Sequence, residues 1–173
     1  MKEYQAADIR NFAVVGHASA GKTMLCEAML ACAGVINRMG SIAAGSTVSD
    51  YHVSEVNRQI SVQASLLHLE WLNKKFNVID CPGYADFISE GLGALRVGDF
   101  ALIVVHANHG VGVGTEAVWK YATEDGIPKL ILVNDGKGNF SVGGTYGDPR
   151  WPTRNAAYHS ATAPKYGATS FST

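Results

Sequence analysis

One octapeptide constrains the fold of this chain more than any other feature. Residues 16–23 read Gly-His-Ala-Ser-Ala-Gly-Lys-Thr and match the pattern G-x-x-x-x-G-K-[ST]. An apolar run at residues 11–15 precedes them as a predicted buried strand, and residues 22–32 follow as a predicted helix that Gly34 ends. This order aims backbone N–H groups and a helix N-terminus at phosphate oxygens. A plain glycine turn is the alternative, but the strand and helix on either side favour a phosphate-binding loop.

The loop residues have predicted roles in such a site. Lys22 reaches the β- and γ-phosphates as a point charge, and the Thr23 hydroxyl ligates Mg²⁺. His17 is interpreted as part of the loop wall rather than as a catalyst. The predicted nucleotide-binding residues of the loop are Gly16, His17, Ala18, Ser19, Ala20, Gly21, Lys22 and Thr23.

A second motif supplies the other half of a triphosphate site. Residues 80–84 read Asp-Cys-Pro-Gly-Tyr and follow an apolar run. An aspartate at the end of a strand beside the phosphate-loop strand can hold Mg²⁺, so Asp80 is a predicted metal-binding and nucleotide-binding residue. Gly83 can present its backbone N–H to a γ-phosphate. Taken alone, this motif would be an ordinary strand-to-turn sequence.

Strand-like and helix-like segments alternate up to residue 134. Apolar alternation over residues 60–66 and the run at 76–80 predict an antiparallel hairpin with a break at residues 73–75. Helices are predicted around residues 88–95 and 115–125, and strands at 100–107 and 129–134. These segments predict an α/β P-loop NTPase fold with three layers: a mostly parallel sheet with helices on both faces. A first domain is predicted over residues 1–134.

The remaining segment, residues 135–173, has a different composition. Its only branched aliphatic residue is Val142, and it carries three of the five prolines among many Gly, Ser and Thr residues. Such a segment buries too little apolar surface to offset its ordering entropy. We expect a disordered or non-native continuation, and therefore a fold that is incomplete at its C-terminus, with the last parallel strand lacking an outer neighbour.

Composition narrows the class of protein. The formal net charge is −1, so nucleic-acid binding driven by bulk charge is not expected. Three cysteines without a CxxC pair favour a reducing compartment, and we expect a cytoplasmic protein. The polar N-terminus is unlike a secretory signal, and the apolar run at residues 100–105 is too short to cross a bilayer.

Several blocks of the chain resemble the nucleotide-binding domain of the translational GTPases, closest to elongation factor G and elongation factor G-like proteins. The phosphate loop is similar to the family's first motif. Asp50-Tyr51, then Glu55 and residues 58–62 (Arg-Gln-Ile-Ser-Val), resemble the end of switch I, where the family usually has Arg-Gly-Ile-Thr-Ile. Residues 80–87 resemble switch II, usually Asp-Thr-Pro-Gly-His-Val-Asp-Phe. Residues 110–116 are similar to a third family stretch. The resemblance runs from about residue 8 to residue 134.

The resemblance assigns further residues to the site. Ser61 stands where the family uses a threonine to bind Mg²⁺, and its hydroxyl offers the same oxygen. Tyr84 occupies the position of the histidine that orients the attacking water. The catalytic residues implied by the resemblance are Tyr84, Lys22 and Gly83, and the implied metal ligands are Thr23, Ser61 and Asp80.

The family's guanine-reading element, Asn-Lys-x-Asp, is altered in this chain. Asn134 matches, but Asp135 stands at the lysine position and Lys137 at the aspartate position. An ammonium cannot accept the hydrogen bonds that guanine N1 and N2 donate. Losing two charge-assisted hydrogen bonds is expected to weaken guanine preference by about 10²–10⁴-fold.

Two functions follow from the resemblance. The first is a domain that binds GTP and GDP with Mg²⁺ and hydrolyses GTP in a ribosome-linked cycle of translation. The ribosome would be engaged through further domains of an elongation factor. The second is an impaired fragment or pseudo-GTPase with weak, poorly base-specific binding. A P-loop kinase or ATPase fits the order of the blocks less well. We expect a monomer that binds neither a membrane nor a specific nucleic-acid sequence.

Overall fold

The strand that leads into the phosphate loop lies in the interior of a mixed sheet. The computed structural model describes residues 3–145, and six strands within them form one sheet in the order β2-β3-β1-β4-β5-β6. Neighbours β3, β1, β4 and β5 run parallel, while β2 and β6 are antiparallel edges. The strands are β1 (Ile9–Val15), β2 (Ser65–Trp71), β3 (Lys74–Asp80), β4 (Phe100–His106), β5 (Lys129–Asn134) and β6 (Phe140–Thr145).

Helices cover both faces of this sheet. Alternate residues of β1 point to opposite sides, so Phe12 and Val14 belong to one apolar cluster while Ala13 and Val15 belong to the other. The prediction of a three-layer, mostly parallel α/β fold is confirmed. None of the helices within residues 3–145 is long and apolar enough to span a membrane. The helices are α1 (Lys22–Cys32), α2 (Val53–Arg58), α3 (Ile88–Val97) and α4 (Val113–Glu124).

The predicted hairpin is present, but its first strand begins later than residue 60. Strand β2 starts at Ser65, because the backbone amides of residues 62–64 donate to carboxylate side chains and not to a neighbouring strand. The Glu55 carboxylate accepts the N–H groups of Val62 and Gln63, and Glu90 accepts that of Ala64. The turn consists of two residues with positive φ, 72 and 73, as tight two-residue hairpin turns require.

The expectation of an unpaired last parallel strand is wrong. Strand β6 pairs antiparallel with β5 over Leu130–Asn134, and its first residue, Phe140, is buried in the apolar cluster that also holds Ala20 and Leu25. A single aromatic anchor and backbone pairing therefore order the start of the segment that composition alone assigned to disorder. The rest of that segment, residues 146–173, lies outside the described residues.

Candidate nucleotide-phosphate site

The phosphate loop leaves β1 where the backbone passes very close to its neighbours. Gly16 has a φ of +142°, and a Cβ there would lie 2.4 Å from the carbonyl oxygen of Val104 in β4. Gly21 has a φ of +97°, and a Cβ there would lie 2.3 Å from the Asn134 side chain. Both positions require glycine for space and for backbone conformation. The loop is thus held against the ends of β4 and β5.

Lys22 begins helix α1 and is only 6% exposed. Its Nζ donates a 2.9 Å hydrogen bond to the carbonyl oxygen of His17, which folds the side chain back across its own loop. Burial lowers the pKa of Lys22, and the nearby Asp80 carboxylate opposes this shift. The Lys22 ammonium is therefore held at the loop before any ligand binds, and a buried cation there favours an anionic ligand.

Three hydroxyl and carboxylate groups from separate segments meet beside Lys22. The Thr23 Oγ1 and Ser61 Oγ atoms lie 3.3 Å apart. Asp80, at the end of β3, is 2% exposed; its Oδ2 accepts a 2.7 Å hydrogen bond from the Ser49 hydroxyl. Its Oδ1 is buried and accepts no hydrogen bond from residues 3–145. Oxygen donors of this kind fit Mg²⁺, and the orphaned carboxylate oxygen is the one group of this set that lacks a partner.

Burial makes the Asp80 carboxylate hard to ionise. Desolvation raises its pKa from 3.8 to about 6, against the opposing effects of the Ser49 hydrogen bond and the Lys22 charge. Burial also raises the pKa of Asp50, which a hydrogen bond from the Ser61 hydroxyl opposes. The site therefore places two carboxyl groups with raised pKa values, those of Asp80 and Asp50, near the buried Lys22 ammonium. A cation placed among them would favour their ionised forms.

Replacing Asp80 with asparagine is expected to stabilise the metal-free domain at neutral pH. The folded state holds a proton on Asp80 between about pH 4 and pH 6 whereas the unfolded state does not, so the free energy of unfolding falls as pH rises through that range. Above about pH 6 the wild type carries a cost of about 3 kcal/mol, of which Asp80→Asn should recover about 1–3 kcal/mol. Urea unfolding in EDTA at several pH values measures this difference.

The control for this prediction is Asp125→Asn, which changes an exposed carboxylate. It should leave the pH dependence of unfolding as in the wild type. The difference between Asp80→Asn and wild type should shrink towards zero below about pH 4. The same slope of unfolding free energy against pH in both proteins would contradict the assignment.

Gly83 and Tyr84 bring the second motif against the phosphate loop. A Cβ at Gly83 would lie 2.3 Å from Lys22 Nζ and 2.6 Å from the backbone nitrogen of Ala18, so only glycine fits there. Tyr84 is 42% exposed at the rim. The cleft between the motifs is lined by Ala18, Ser19, Gly21, Lys22, Thr23, Ile42, Asp50, Gln59, Ile60, Ser61, Gly83 and Tyr84.

Asn134 lies behind the loop rather than in the cleft. Its Nδ2 donates a 3.0 Å hydrogen bond to the Ala20 carbonyl, and its Oδ1 accepts one of 2.9 Å from the Gly136 amide. Both ends of the amide are therefore used within the protein. Asn134 ties the end of β5 to the phosphate loop, and this geometry gives it a bracing role.

The hairpin loop that follows Asn134 uses Asp135 for its own turn. The Asp135 carboxylate accepts hydrogen bonds from the Lys137 amide, at 2.7 Å, and from both nitrogens of Asn139. These hydrogen bonds, led by that from Asn139, lower its pKa. The residue at the family's lysine position therefore stabilises a tight turn into β6.

His17 has a larger structural role than its interpretation as loop wall implies. Its backbone N–H donates to the Thr115 hydroxyl at 3.1 Å, and its Nδ1 accepts from the Gly114 amide at 3.3 Å. A Cβ at Gly112 would lie 2.5 Å from the ring. His17 thereby joins the phosphate loop to the first turn of α4.

Asp50 and Glu55 belong to the block that resembles switch I but carry no predicted role, and neither Ser49 nor Glu27 was predicted to contribute. Glu55 is buried and fixes the backbone just after Ser61, and Ser49 contacts Asp80. Asp50 lines the cleft, and Glu27 is buried in α1. Glu27 lies within a helix of mostly small and apolar residues. A single charged residue in such a helix was the one sequence signal that could have indicated a buried structural carboxylate.

The family is established by comparison with known proteins. A model described as "Elongation factor Tu GTP binding domain" matches residues 7–135, which is well over half of the chain. The chain belongs to this family.

Among the curated relatives of this GTP-binding domain, a mitochondrial ribosome-releasing factor 2 from Candida dubliniensis is 42% identical over 75% of the chain. An elongation factor G-like protein from Mycobacterium tuberculosis is 39% identical over 72% of it. The predicted resemblance to elongation factor G-like translational GTPases is confirmed.

The chain matches only a small part of these relatives. It spans 16% of the length of the Candida protein and 18% of the Mycobacterium protein. A solved structure from Thermus thermophilus has a TM-score of 0.71 at 39% identity, covering 74% of this chain and 19% of that one. The elongation factor SelB from Methanococcus maripaludis, solved with a GTP analogue, shares the fold with a TM-score of 0.55 at 20% identity, covering 73% and 22%.

Proposed function

We propose that the chain binds GTP and GDP together with Mg²⁺ and hydrolyses GTP, as the nucleotide domain of an elongation factor G-like translation factor. The observation that carries the proposal is one cleft lined by Lys22, Thr23 and Ser61, with the buried Asp80 carboxylate and its unpartnered Oδ1 close to Lys22. A phosphate chain with a divalent cation satisfies all of these groups at once. The glycine loop provides the close backbone approach that the phosphates need.

Thr23 and Ser61 would hold the metal through their hydroxyl oxygens, with Asp80 completing the set of hard ligands. The bound cation would neutralise charge on the β- and γ-phosphates. Lys22 would also bind phosphate oxygens, since its Nζ already lies across the loop. Gly83 offers its backbone N–H to the γ-phosphate. Departure of that group would release the segments around Ser61 and Gly83.

Partners and compartment complete the proposal. Two relatives are named as a ribosome-releasing factor and an elongation factor G-like protein, which supports a ribosome-linked role in translation reached through domains outside this chain. We propose a monomer that acts in the cytoplasm and binds neither a membrane nor a specific nucleic-acid sequence. All three cysteines are free, which suits a reducing compartment.

Calorimetric titration of the purified chain with Mg²⁺-GTP, Mg²⁺-GDP and Mg²⁺-ATP tests the proposal. Binding of both guanine nucleotides, weakened when EDTA replaces Mg²⁺, is expected. No heat with any of the three, from a sample whose circular dichroism shows mixed helix and sheet, would overturn it.

A second candidate is a site that binds nucleotides weakly and with little preference for guanine. The observation in its favour is the loop after Asn134. There the Asp135 carboxylate accepts hydrogen bonds from its own turn, and Lys137 stands where the family has a carboxylate. The same titration separates the two candidates. Equally weak binding of GTP and ATP supports the unspecific site. Binding of GTP and GDP without detectable binding of ATP supports the GTP-binding domain.

Replacing Tyr84 with phenylalanine is expected to slow GTP hydrolysis about 2–10-fold without changing GTP affinity. The phenol lies at the rim of the cleft beside Gly83, where its hydroxyl can orient a water through one neutral hydrogen bond. Phosphate release under saturating GTP measures the rate, and calorimetry measures the affinity. Tyr121→Phe, on α4, serves as the matched control. Unchanged hydrolysis in Tyr84→Phe would remove Tyr84 from the reaction.

A further inference from the structure

A buried carboxylate outside the phosphate site holds a long loop against helix α1. Glu27 is 1% exposed. Its Oε2 accepts the Gly40 amide and its Oε1 accepts the Val48 amide, both at 2.6 Å. These two amides bracket residues 40–48, called here the 40–48 loop. One side chain therefore fixes both ends of this loop to the helix that begins at Lys22.

The 40–48 loop is also closed upon itself. The Ser41 amide donates to the Ser46 hydroxyl at 3.0 Å, and the Ser46 amide donates to the Ser41 carbonyl at 3.1 Å. A Cβ at Gly40 would lie 2.2 Å from the Ser46 carbonyl oxygen, so the two ends of the loop touch. The loop is thus a small unit closed by its own hydrogen bonds.

This unit forms part of the cleft wall. Ile42, inside the loop, lines the cleft. Directly after the loop, Ser49 donates its hydroxyl to Asp80, while its carbonyl accepts the Ser65 hydroxyl at 2.7 Å. Asp50 follows and also lines the cleft. The position of the loop therefore sets where Ser49 and Asp50 meet the groups around Asp80.

We propose that Glu27 is a positioning residue that fastens the 40–48 loop to α1 and so assembles the outer wall of the cleft before any nucleotide arrives. The carboxylate is suited to this task because it has two acceptor oxygens and both are used. A glutamine has the same shape but only one acceptor oxygen. Its NH₂ group would point at one of the two backbone N–H groups, so that hydrogen bond would be lost and two donors would face each other. The consequence for nucleotide binding rests on the proposed function.

Amide hydrogen exchange of the nucleotide-free chain tests the fastening itself. In the wild type, the Gly40 and Val48 amides should exchange far more slowly than the exposed amides of Ala43 and Ala44. In Glu27→Gln, exchange at Gly40 and Val48 should accelerate about 10- to 100-fold, while the Leu30 amide in α1 changes little. Glu124→Gln, an exposed carboxylate on α4, is the matched control and should change neither amide.

Two results would overturn the proposal. Wild-type Gly40 and Val48 amides that exchange as fast as those of Ala43 and Ala44 would show that the loop is not fastened, whether or not the variant folds. Equal acceleration at Gly40, Val48 and Leu30 in Glu27→Gln would show a general loss of stability instead of a local release.

Nucleotide titration of the same variant tests the consequence for the cleft. Glu27→Gln should lower the affinity for Mg²⁺-GTP about 10-fold or more while changing GTP affinity in EDTA much less, because Ser49 and Asp50 act at the metal side. Equal losses with and without Mg²⁺ would contradict this. If the wild type binds no nucleotide, the proposed function fails, and amide exchange still decides whether Glu27 fastens the loop.

Discussion

Replacing Gly16 with alanine is expected to lower the free energy of unfolding by about 3–5 kcal/mol, one of the largest effects available to a single added methyl group. Two causes act together. The φ of +142° is a conformation that residues with a Cβ rarely adopt, and the new Cβ would lie 2.4 Å from the Val104 carbonyl oxygen. The overlap is with backbone in the centre of the sheet, so no side chain can turn aside. Urea unfolding followed by circular dichroism measures the change.

Two control variants separate these causes. Gly34→Ala shares a positive φ of +73° but has nothing within 4 Å, so it should cost only about 1–2 kcal/mol. Gly93→Ala lies inside helix α3 with open space around it and should stabilise the protein by about 0.5–1 kcal/mol. A Gly16→Ala protein as stable as Gly34→Ala would show that β1 and β4 are not in close contact at the start of the loop.

Replacing Lys22 with methionine is expected to weaken binding of Mg²⁺-GTP by about 10²–10⁴-fold. The ammonium is buried at the loop, and in the proposed site it would donate two charge-assisted hydrogen bonds to phosphate oxygens that methionine cannot donate. Methionine keeps most of the chain length, and the Lys22 pKa is already lowered by burial, so the fold should survive. Calorimetry with wild type and variant side by side gives the ratio of affinities.

Lys120→Met is the matched control for this experiment. Its side chain is 77% exposed on α4, where it forms a long ion pair with Glu124. It should bind Mg²⁺-GTP as the wild type does. Equal affinity in Lys22→Met and wild type, with both proteins folded, would mean that phosphate binding occurs elsewhere on the domain.

The fold and the phosphate side of the site are predictable from sequence because their signals are local. The glycine loop lies between a strand and a helix, and Asp80 ends a strand that pairs in parallel with β1, in register with Val14. Strand and helix periodicity then places both motifs at the same sheet edge. Ser61 belongs to neither motif, and only the resemblance of its block to switch I led us to expect it beside Thr23, where the structure has the two hydroxyls 3.3 Å apart.

Features that depend on long-range pairing were not predictable in the same way. Strand β6 carries glycine, serine and one valine, and its order comes from pairing with β5 and from burial of Phe140. The start of β2 depends on which acceptors take the amides of residues 62–64, and those acceptors are Glu55 in the preceding helix α2 and Glu90 in the later helix α3. Pairing partners of this kind leave no periodic signal in the strand itself.

The hydrogen-bond partners of Glu27 and Asn134 show the same limit. A single glutamate in a helix gives no sign of which backbone amides it accepts, and those amides lie 13 and 21 residues further along the chain. Asn134 stays a predicted nucleotide-binding residue, but its hydrogen bonds to the Ala20 carbonyl and from the Gly136 amide could not be predicted from residue type. Residue type predicts hydrogen-bonding capacity, whereas the tertiary fold decides the partner.

Backbone amide NMR of the isotopically labelled chain, titrated with Mg²⁺-GTP, tests most directly whether this cleft holds a triphosphate with its metal. Shifts are expected to concentrate in residues 16–23, around Ser61 and at Gly83 and Tyr84, which line or adjoin the cleft. The surface formed by Arg10, Asp99 and Lys129 lies apart from that cleft and should stay unchanged. Unchanged amides throughout residues 16–23 at saturating nucleotide, or shifts confined to another surface, would contradict the proposed site.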